Sequence, residues 1–271
     1  LKNGVQAFRK SIKELDSPVK PGNDEIKRFV AFYEFIKGDE VKTVAIIPAA
    51  GAGVRMATGV AKQFMDLGGR PLLAATLQNF EQCPLVERVV LVVPQDRVSY
   101  CKEEIVDGYS LSKVGQVIPG GMRRQDSVRL GLEAVERPCD LVLIHDGVRP
   151  FVPAEFITRM ITAAAGNRAV VPGIPVKETV KEVGPDGRVV GTPDRRNLWL
   201  VQTPQCFRYH DILAAHRRAV DENWEELTDD ALLLERMGIP VTMVEGLEEN
   251  IKITTPRDLE FARFFLSRKN A

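Results

Sequence analysis

No Cys-x-x-Cys pair occurs in this chain, and none of its three histidines stands at zinc-finger spacing from its four cysteines. The metal-finger readings fall with that spacing, and Cys83, Cys101, Cys139 and Cys206 read as reduced, buried thiols of a cytosolic protein. Charge of one sign does not predominate either. Lys+Arg and Asp+Glu both number 37, so the net charge is zero. That argues against a nucleic-acid coat or a polybasic membrane patch, while leaving room for a local basic pocket. No apolar run is long enough to span a bilayer, and the N-terminal residues lack the apolar core of a signal peptide. Also missing are internal repeats, low-complexity tracts and any Ser-His-Asp arrangement that would suggest nucleophilic catalysis. What remains is 271 residues, 44% hydrophobic and 27% charged, enough for one large α/β domain or two small ones.

Residues 1–41 differ from the rest. KSIKELDSPVKPGNDEIKRF is polar and punctuated by Pro and Gly, with Phe29, Phe32 and Phe35–Ile36 spaced for a short amphipathic helix. This stretch reads as an appendage, surface-docked or poorly ordered, to a domain spanning 42–271. From Val41 onward, apolar strands (VKTVAIIP, VERVVLVVP, GQVIP, DLVLIHDG, RAVVPGIPV) alternate with helical patterns (RPLLAATLQNFEQC, 95–106, 123–136, PAEFITRMITAAA). That alternation predicts an α/β fold: a Rossmann-like, mostly parallel sheet covered by helices on both faces. Residues 176–202 break the rhythm, alternating polar and apolar positions around Gly-Pro-Asp-Gly. They predict an extended β-hairpin arm of the kind that projects and builds dimers. Beyond it, TPQCFRYHDILAAHRRAV and TDDALLLERMG read as helical, IPVTMVEG and NIKIT as strands, and TPRDLEFARFFLSRK as a closing helix capped by Thr254 or Thr255.

The densest chemistry lies at 45–63, AIIPAAGAGVRMATGVAKQ. Ala49, Ala50, Gly51 and Gly53 present backbone N–H groups with almost no side chain in the way, which close approach of a phosphate chain requires. Arg55 and Lys62 add two cations. No G-K-[ST] follows, so this is not a Walker A loop, and it is not G-x-G-x-x-G. A triphosphate loop outside both patterns suggests a nucleotidyltransferase.

Ligands of open parallel sheets sit at the carboxyl ends of the strands. There, after GQVIP, Gly120-Gly121 offers close approach to a flat base, and Ser127 a hydroxyl to base or ribose; the alternative is a tight turn and a surface serine. After DLVLIH, Asp146 suits Mg²⁺ beside a triphosphate, the alternatives being a helix cap or a pair with Arg149. Arg149 follows three residues after Asp146, and Thr179, Thr228 and Lys252 stand near other strand ends; the alternative for Arg149, Arg195 and Lys252 is a solvated surface charge. Lys252 lies in apolar NIKIT, a setting that calls for an anion. His145 reads as a satisfied core histidine, and His210 and His216 as surface helix residues.

Taken in order, PAAGAGVRM, AKQF, GGMRRQDSV, HDGVRP, VKETVK, TPQCF, LTDDA and VEGLEENIKIT resemble the 2-C-methyl-D-erythritol 4-phosphate cytidylyltransferase family of non-mevalonate isoprenoid synthesis, over roughly residues 42–268. The resemblance implies that Ala49, Ala50, Gly51, Gly53 and Arg55 wrap the phosphates of CTP, with Arg55 and Lys62 as the catalytic pair at the α-phosphate. It implies that Gly120, Gly121 and Ser127 read cytosine, and that Asp146 serves Mg²⁺ and substrate hydroxyls. Arg149, Thr179, Arg195, Thr203, Thr228 and Lys252 would hold a small polyol phosphate, Arg195 reaching it from the arm of a neighbouring subunit in a homodimer. Some positions depart from the family pattern: Met122 after Gly-Gly, Gly147-Val148 in HDGVRP, Glu178, and Arg196 beside Arg195 as a competitor for the phosphate. Three rivals stand beside this reading. A ribitol 5-phosphate cytidylyltransferase shares much of the motif set. A nucleotide-sugar glycosyltransferase would need a D-x-D metal motif and a catalytic carboxylate, neither evident. A non-catalytic descendant is opposed by the joint retention of Arg55, Lys62, Asp146, Arg149 and Lys252.

Overall fold

Continuous β-branched runs form the middle of one sheet, because only a strand covered on both faces can bury every side chain of such a run. The computed structural model of the protein describes residues 41–51, 61–136, 139–225 and 227–269. Gly53, Arg55 and the expected appendage up to Glu40, with its helix around Phe29, Phe32 and Phe35, lie outside the described residues. β1 (Thr43–Pro48) leads through a 3₁₀ turn at Lys62–Phe64 to α1 (Leu72–Gln82) and β2 (Arg88–Val93). Next come α2 (Val98–Tyr100), continuing as a π-helical stretch over Cys101–Asp107, and β3 (Val114–Pro119). α3 (Arg124–Glu133), β4 (Leu141–Ile144), α4 (Ala154–Ala164) and β5 (Ala169–Pro175) follow. The arm carries β6 (Glu182–Val183) and β7 (Val189–Gly191), and the chain returns through β8 (Trp199–Val201) and β9 (Gln205–Arg208). α5 (Tyr209–Asp221), α6 (Ala231–Arg236), β10 (Thr242–Glu245) and α7 (Pro256–Lys269) complete the described elements.

The main sheet runs β10-β5-β9-β4-β1-β2-β3, with β8 added to β5. β1 pairs in parallel with β2 and β4, β2 with β3, and β5 with β10, while β9 runs antiparallel between β4 and β5. The expected mostly parallel α/β sheet is therefore present. Its two-residue alternation sorts the core. Ala45, Ile47, Leu91, Val93 and Leu143 face α1, the π-helical stretch and α4, whereas Val44, Ile46, Val90, Val92 and Val142 face α3, α5 and α6. A third, smaller cluster joins Leu259 and Ala262 of α7 to Val148 and Ile253. Thr255 caps α7 as expected: its Oγ1 accepts from Asp258 N–H at 3.2 Å, and the Asp258 carboxylate accepts from the Thr255 N–H at 2.8 Å.

Three expectations change. TPQCFRYH does not open a helix but supplies β9 first, because Cys206 and Phe207 are both buried on opposite faces of the sheet, and only a strand places neighbours so. NIKIT forms no ladder; Ile253 N–H donates to the loop carbonyl of Val148 rather than to a strand. His216 is buried, not on the surface. It falls on the face of α5 with Ile212, Ala215 and Ala219, whose helical spacing turns toward the sheet. His210 is exposed and His145 fully buried, as expected. All four cysteines are free and buried. The Gly184–Gly187 turn joins β6 and β7 as an antiparallel pair separate from the main sheet.

Candidate active site

β1, β2, β3 and β4 share one direction, so their carboxyl ends open onto the same edge. Small residues let the backbone crowd there. A Cβ on Gly120 would stand 2.3 Å from the Ala50 Cβ and 2.7 Å from Ser127 Oγ, and one on Gly147 would stand 2.9 Å from the Ala49 Cβ. Glycine at 120 and 147 is thus the condition for the loops after β1, β3 and β4 to touch, and it accounts for Gly147 in HDGVRP. Gln63, buried beside Lys62, donates to the carbonyls of Ala49 at 2.7 Å and Gly51 at 3.2 Å and ties the 3₁₀ turn to the start of the loop. Ser127 is not a surface serine: it is buried, and its Oγ accepts from Gly121 N–H at 3.2 Å. That bond fixes the Gly-Gly turn at the mouth of α3.

Asp146, 6% exposed, is the electrostatic centre. Lys252 Nζ lies 2.8 Å from its Oδ2 and Arg124 Nε 3.0 Å from its Oδ1, with Arg149 Nε farther off at 3.7 Å. Burial works to raise the Asp146 pKa, but Arg124, Lys252 and Arg149 together outweigh it and hold the carboxyl well below the usual range. Burial also pulls the Arg149 pKa down, against the attraction of Asp146. The backbone of this turn is held by neutral groups. Thr203 Oγ1 accepts from Asp146 N–H at 3.1 Å and lies 3.0 Å from His145 Nδ1, and His145 Nε2 lies 3.0 Å from the Arg149 carbonyl. The carbonyl can only accept, so the proton sits on Nε2 and Nδ1 receives the Thr203 hydroxyl. Burial pushes the His145 pKa down to about 4, so the ring stays neutral near pH 7.

The loop carrying Lys252 is stitched to the same turn. Arg149 donates to the Asn250 carbonyl at 2.7 Å, and Asn250 Nδ2 donates to the Thr203 carbonyl at 2.7 Å. Gln202 exchanges hydrogen bonds with the backbone of Leu247. These contacts, with Ile253 packed under α7, aim Lys252 at Asp146. An open cavity of about 360 Å³ results, with Arg124, Asp146, Arg149, Thr203, Thr228 and Lys252 among its lining residues.

The site residues expected from the sequence thus fall into groups. Asp146, Arg149, Thr203, Thr228 and Lys252 meet at the cavity. Ala49, Ala50, Gly51, Gly120 and Gly121 form the adjoining loops, and Ser127 stands beside them on the first turn of α3. Thr179 and Arg195 are not brought there; both are exposed on the arm, outside the cavity lining. Arg196 is held by both carboxylate oxygens of Asp194, whereas Arg195 donates to the Lys177 carbonyl. Arg124 and Asp230 receive no role from the sequence. The one signal for Arg124 is its place on the first turn of α3, directly after the Gly-Gly turn.

Among the described residues no three His, Cys, Asp or Glu side chains converge as a metal cage. A lone ionised carboxylate fits Mg²⁺ only where phosphate oxygens complete the shell, as they do in metal–nucleotide complexes. Asp146 supplies the protein's share of such a shell: oxygen donors only, ionised throughout the neutral range.

A family model described as 2-C-methyl-D-erythritol 4-phosphate cytidylyltransferase (IspD) matches residues 43–268. The curated protein of that name from Geobacter metallireducens is 46% identical over 228 residues, 83% of this chain and 97% of its own. Its namesake from Syntrophus aciditrophicus is 44% identical over 228 residues, covering 84% and 97%. Among solved structures, the 4-diphosphocytidyl-2C-methyl-D-erythritol synthase of Anaerococcus prevotii superposes with a TM-score of 0.75 at 34% identity, over 85% of this chain and 98% of that one. The cytidylyltransferase of Thermus thermophilus gives 0.68 at 34% identity, over 82% and 98%.

Proposed function

This chain belongs to the 2-C-methyl-D-erythritol 4-phosphate cytidylyltransferase family, and on that premise we propose how its own residues carry the family's reaction. The enzyme joins CTP and 2-C-methyl-D-erythritol 4-phosphate to give 4-diphosphocytidyl-2-C-methyl-D-erythritol, with release of pyrophosphate, in non-mevalonate isoprenoid synthesis. A phosphate oxygen of the sugar phosphate attacks the α-phosphorus of CTP in line; the new P–O bond forms as the bond to the β-phosphate bridge breaks. A phosphate dianion is already a competent nucleophile, so no general base is required. The neutral His145, with both ring nitrogens engaged, accords with that.

Catalysis then rests on positioning and charge. The Ala49–Gly51 backbone and Gly53 cradle the triphosphate, and the turn held by Ser127 receives cytosine. Arg55 and Lys62 stabilise charge building on the α-phosphoryl oxygens and the leaving pyrophosphate. Asp146 orients substrate hydroxyls and would share Mg²⁺ with the phosphate oxygens of CTP; the ion would neutralise charge on the triphosphate. Arg149, Thr203, Thr228 and Lys252 take the sugar phosphate. Thr179 and Arg195 reach it from the arm of a second copy, so the working form is a homodimer.

One observation carries this reading: the buried Asp146, held ionised by Arg124, Lys252 and Arg149 beside an open cavity at the carboxyl ends of the strands. Pyrophosphate release from CTP, assayed in parallel with methylerythritol phosphate and ribitol 5-phosphate, tests it. Faster turnover of the ribitol ester would transfer the chain to the rival acceptor, and release with neither would end the catalytic reading. No helix of the described residues is long and apolar enough to cross a membrane.

A further inference from the structure

Arg124 is shared between two carboxylates. Its Nε donates to Asp146 at 3.0 Å, and its Nη1 donates to Asp230 Oδ2 at 2.8 Å. Asp230 immediately precedes α6, is almost wholly buried, and is not among the residues lining the cavity. Its second oxygen lies 3.3 Å from Nε2 of the equally buried His216. A buried carboxylate is costly unless paired, and this one has no face on the cavity. Its side-chain neighbours are the Arg124 fork and His216.

We propose that Asp230 is a positioning residue for cytidylyl transfer, acting through Arg124. With one arm of the guanidinium anchored on Asp230, Asp146 can give up its own bond to Arg124 when it turns to substrate. Arg124 then stays at the cavity wall instead of swinging into solvent, and the substrate phosphate bound in the cavity meets a cation already in place. His216 stands against the other oxygen of Asp230, its Nε2 at 3.3 Å. Arg124 supplies the charge; Asp230 supplies its address. A planar fork can be pinned at one end and offered at the other, which a lysine could not do.

The inference rests on the cytidylyltransferase reading, which wild-type pyrophosphate release tests before any variant is made. A double-mutant cycle on the full chain then tests the inference itself. Asp230→Asn keeps the size and removes the charge, and it is expected to lower kcat about tenfold with both KM values within about twofold. In an Arg124→Gln background, itself slow, the same change is expected to cost less than about twofold further. Multiplicative losses in the double variant, or wild-type kcat in Asp230→Asn, would overturn the proposal. Should Asp230→Asn fold poorly by thermal unfolding, Asp230→Glu, which keeps the charge and displaces it, enters the same cycle. Its loss must likewise vanish when Arg124 is Gln, and a loss that persists there would mark Asp230 as merely structural.

Discussion

The turn around Asp146 and the arm around Arg195 belong to one expected site, yet they are built in opposite ways. Asp146 is 6% exposed, and its backbone, its carboxylate and the loop of Lys252 are cross-linked through Thr203, His145, Arg149 and Asn250. The arm turns its apolar residues outward: Val190 is 64% exposed and Leu200 56%, with Val183, Val189 and Val201 beside them in kind. Its ion pairs, such as Arg188 with Asp186 and Arg196 with Asp194, lie in water and add little. Exposed apolar residues gathered on one segment accord with the proposed contact to a second copy. One half of the site is finished within the chain; in the homodimer proposed above, the other half is completed by a second copy.

Charge removal in the finished half has the largest expected effect. Asp146→Asn and Lys62→Ala are each expected to lower kcat by about two to three orders of magnitude, the scale of one preorganised charge contact. Steady-state pyrophosphate release measures it, and turnover near wild type in either variant would remove that residue from the mechanism. Arg55→Ala is expected to behave as Lys62→Ala does.

Much of the finished half is legible in the sequence because its determinants are local. Continuous apolar runs give β1, β2 and β4, the Gly-rich turns announce crowded backbone, and Thr255 three residues before Asp258 announces a helix start. β9 escapes because QCFR is short and flows directly into α5, so its two-residue alternation is masked by the helical pattern behind it. The pair of Arg124 with Asp230 spans 106 residues and leaves no local trace. The burial of His216 is hidden because a lone polar residue on an apolar helix face carries no sign of the carboxylate awaiting it. Lys252 is legible through an apolar neighbourhood that demands an anion, although the segment is not a strand.

Two smaller effects probe how firmly that half is held. Thr203→Val removes the acceptor for Asp146 N–H and the hydroxyl that serves His145, leaving buried groups unpaired. A loss of about 2 kcal/mol in unfolding free energy is expected, read by denaturant titration; an unchanged midpoint would mean that the turn is held elsewhere. His145 gives a pH signature. Its folded pKa, pushed down by burial to about 4, lies below the ordinary value of 6.5. Between those values the unfolded chain binds the extra proton, so stability falls as pH drops from 6.5 toward 4. About 2 kcal/mol of its contribution should be gone by about pH 5. His145→Gln should flatten that portion of the stability curve, and an unaltered slope would assign the acid sensitivity to other groups.

The arm gives the smallest single-site effect and the sharpest separation of the two halves. Arg195→Ala is expected to raise KM for the sugar phosphate about tenfold with kcat less affected, the loss of one charge-assisted contact, while Arg196→Ala, whose side chain is engaged by Asp194, should stay within about twofold. If the arm works across a dimer, Lys62 and Arg195 of one chain serve different sites. A heterodimer of a Lys62→Ala chain with an Arg195→Ala chain then has one site with both defects and one with neither. Mixing the two weak homodimers under subunit exchange should restore about a quarter of wild-type activity at limiting sugar phosphate, since half the dimers are mixed and each holds one intact site. Were both residues to serve their own chain's site, every site in the mixture would keep a defect and nothing would be regained. Recovery on mixing therefore requires an arm that completes its neighbour, and its failure in a demonstrated heterodimer would return Arg195 to its own subunit.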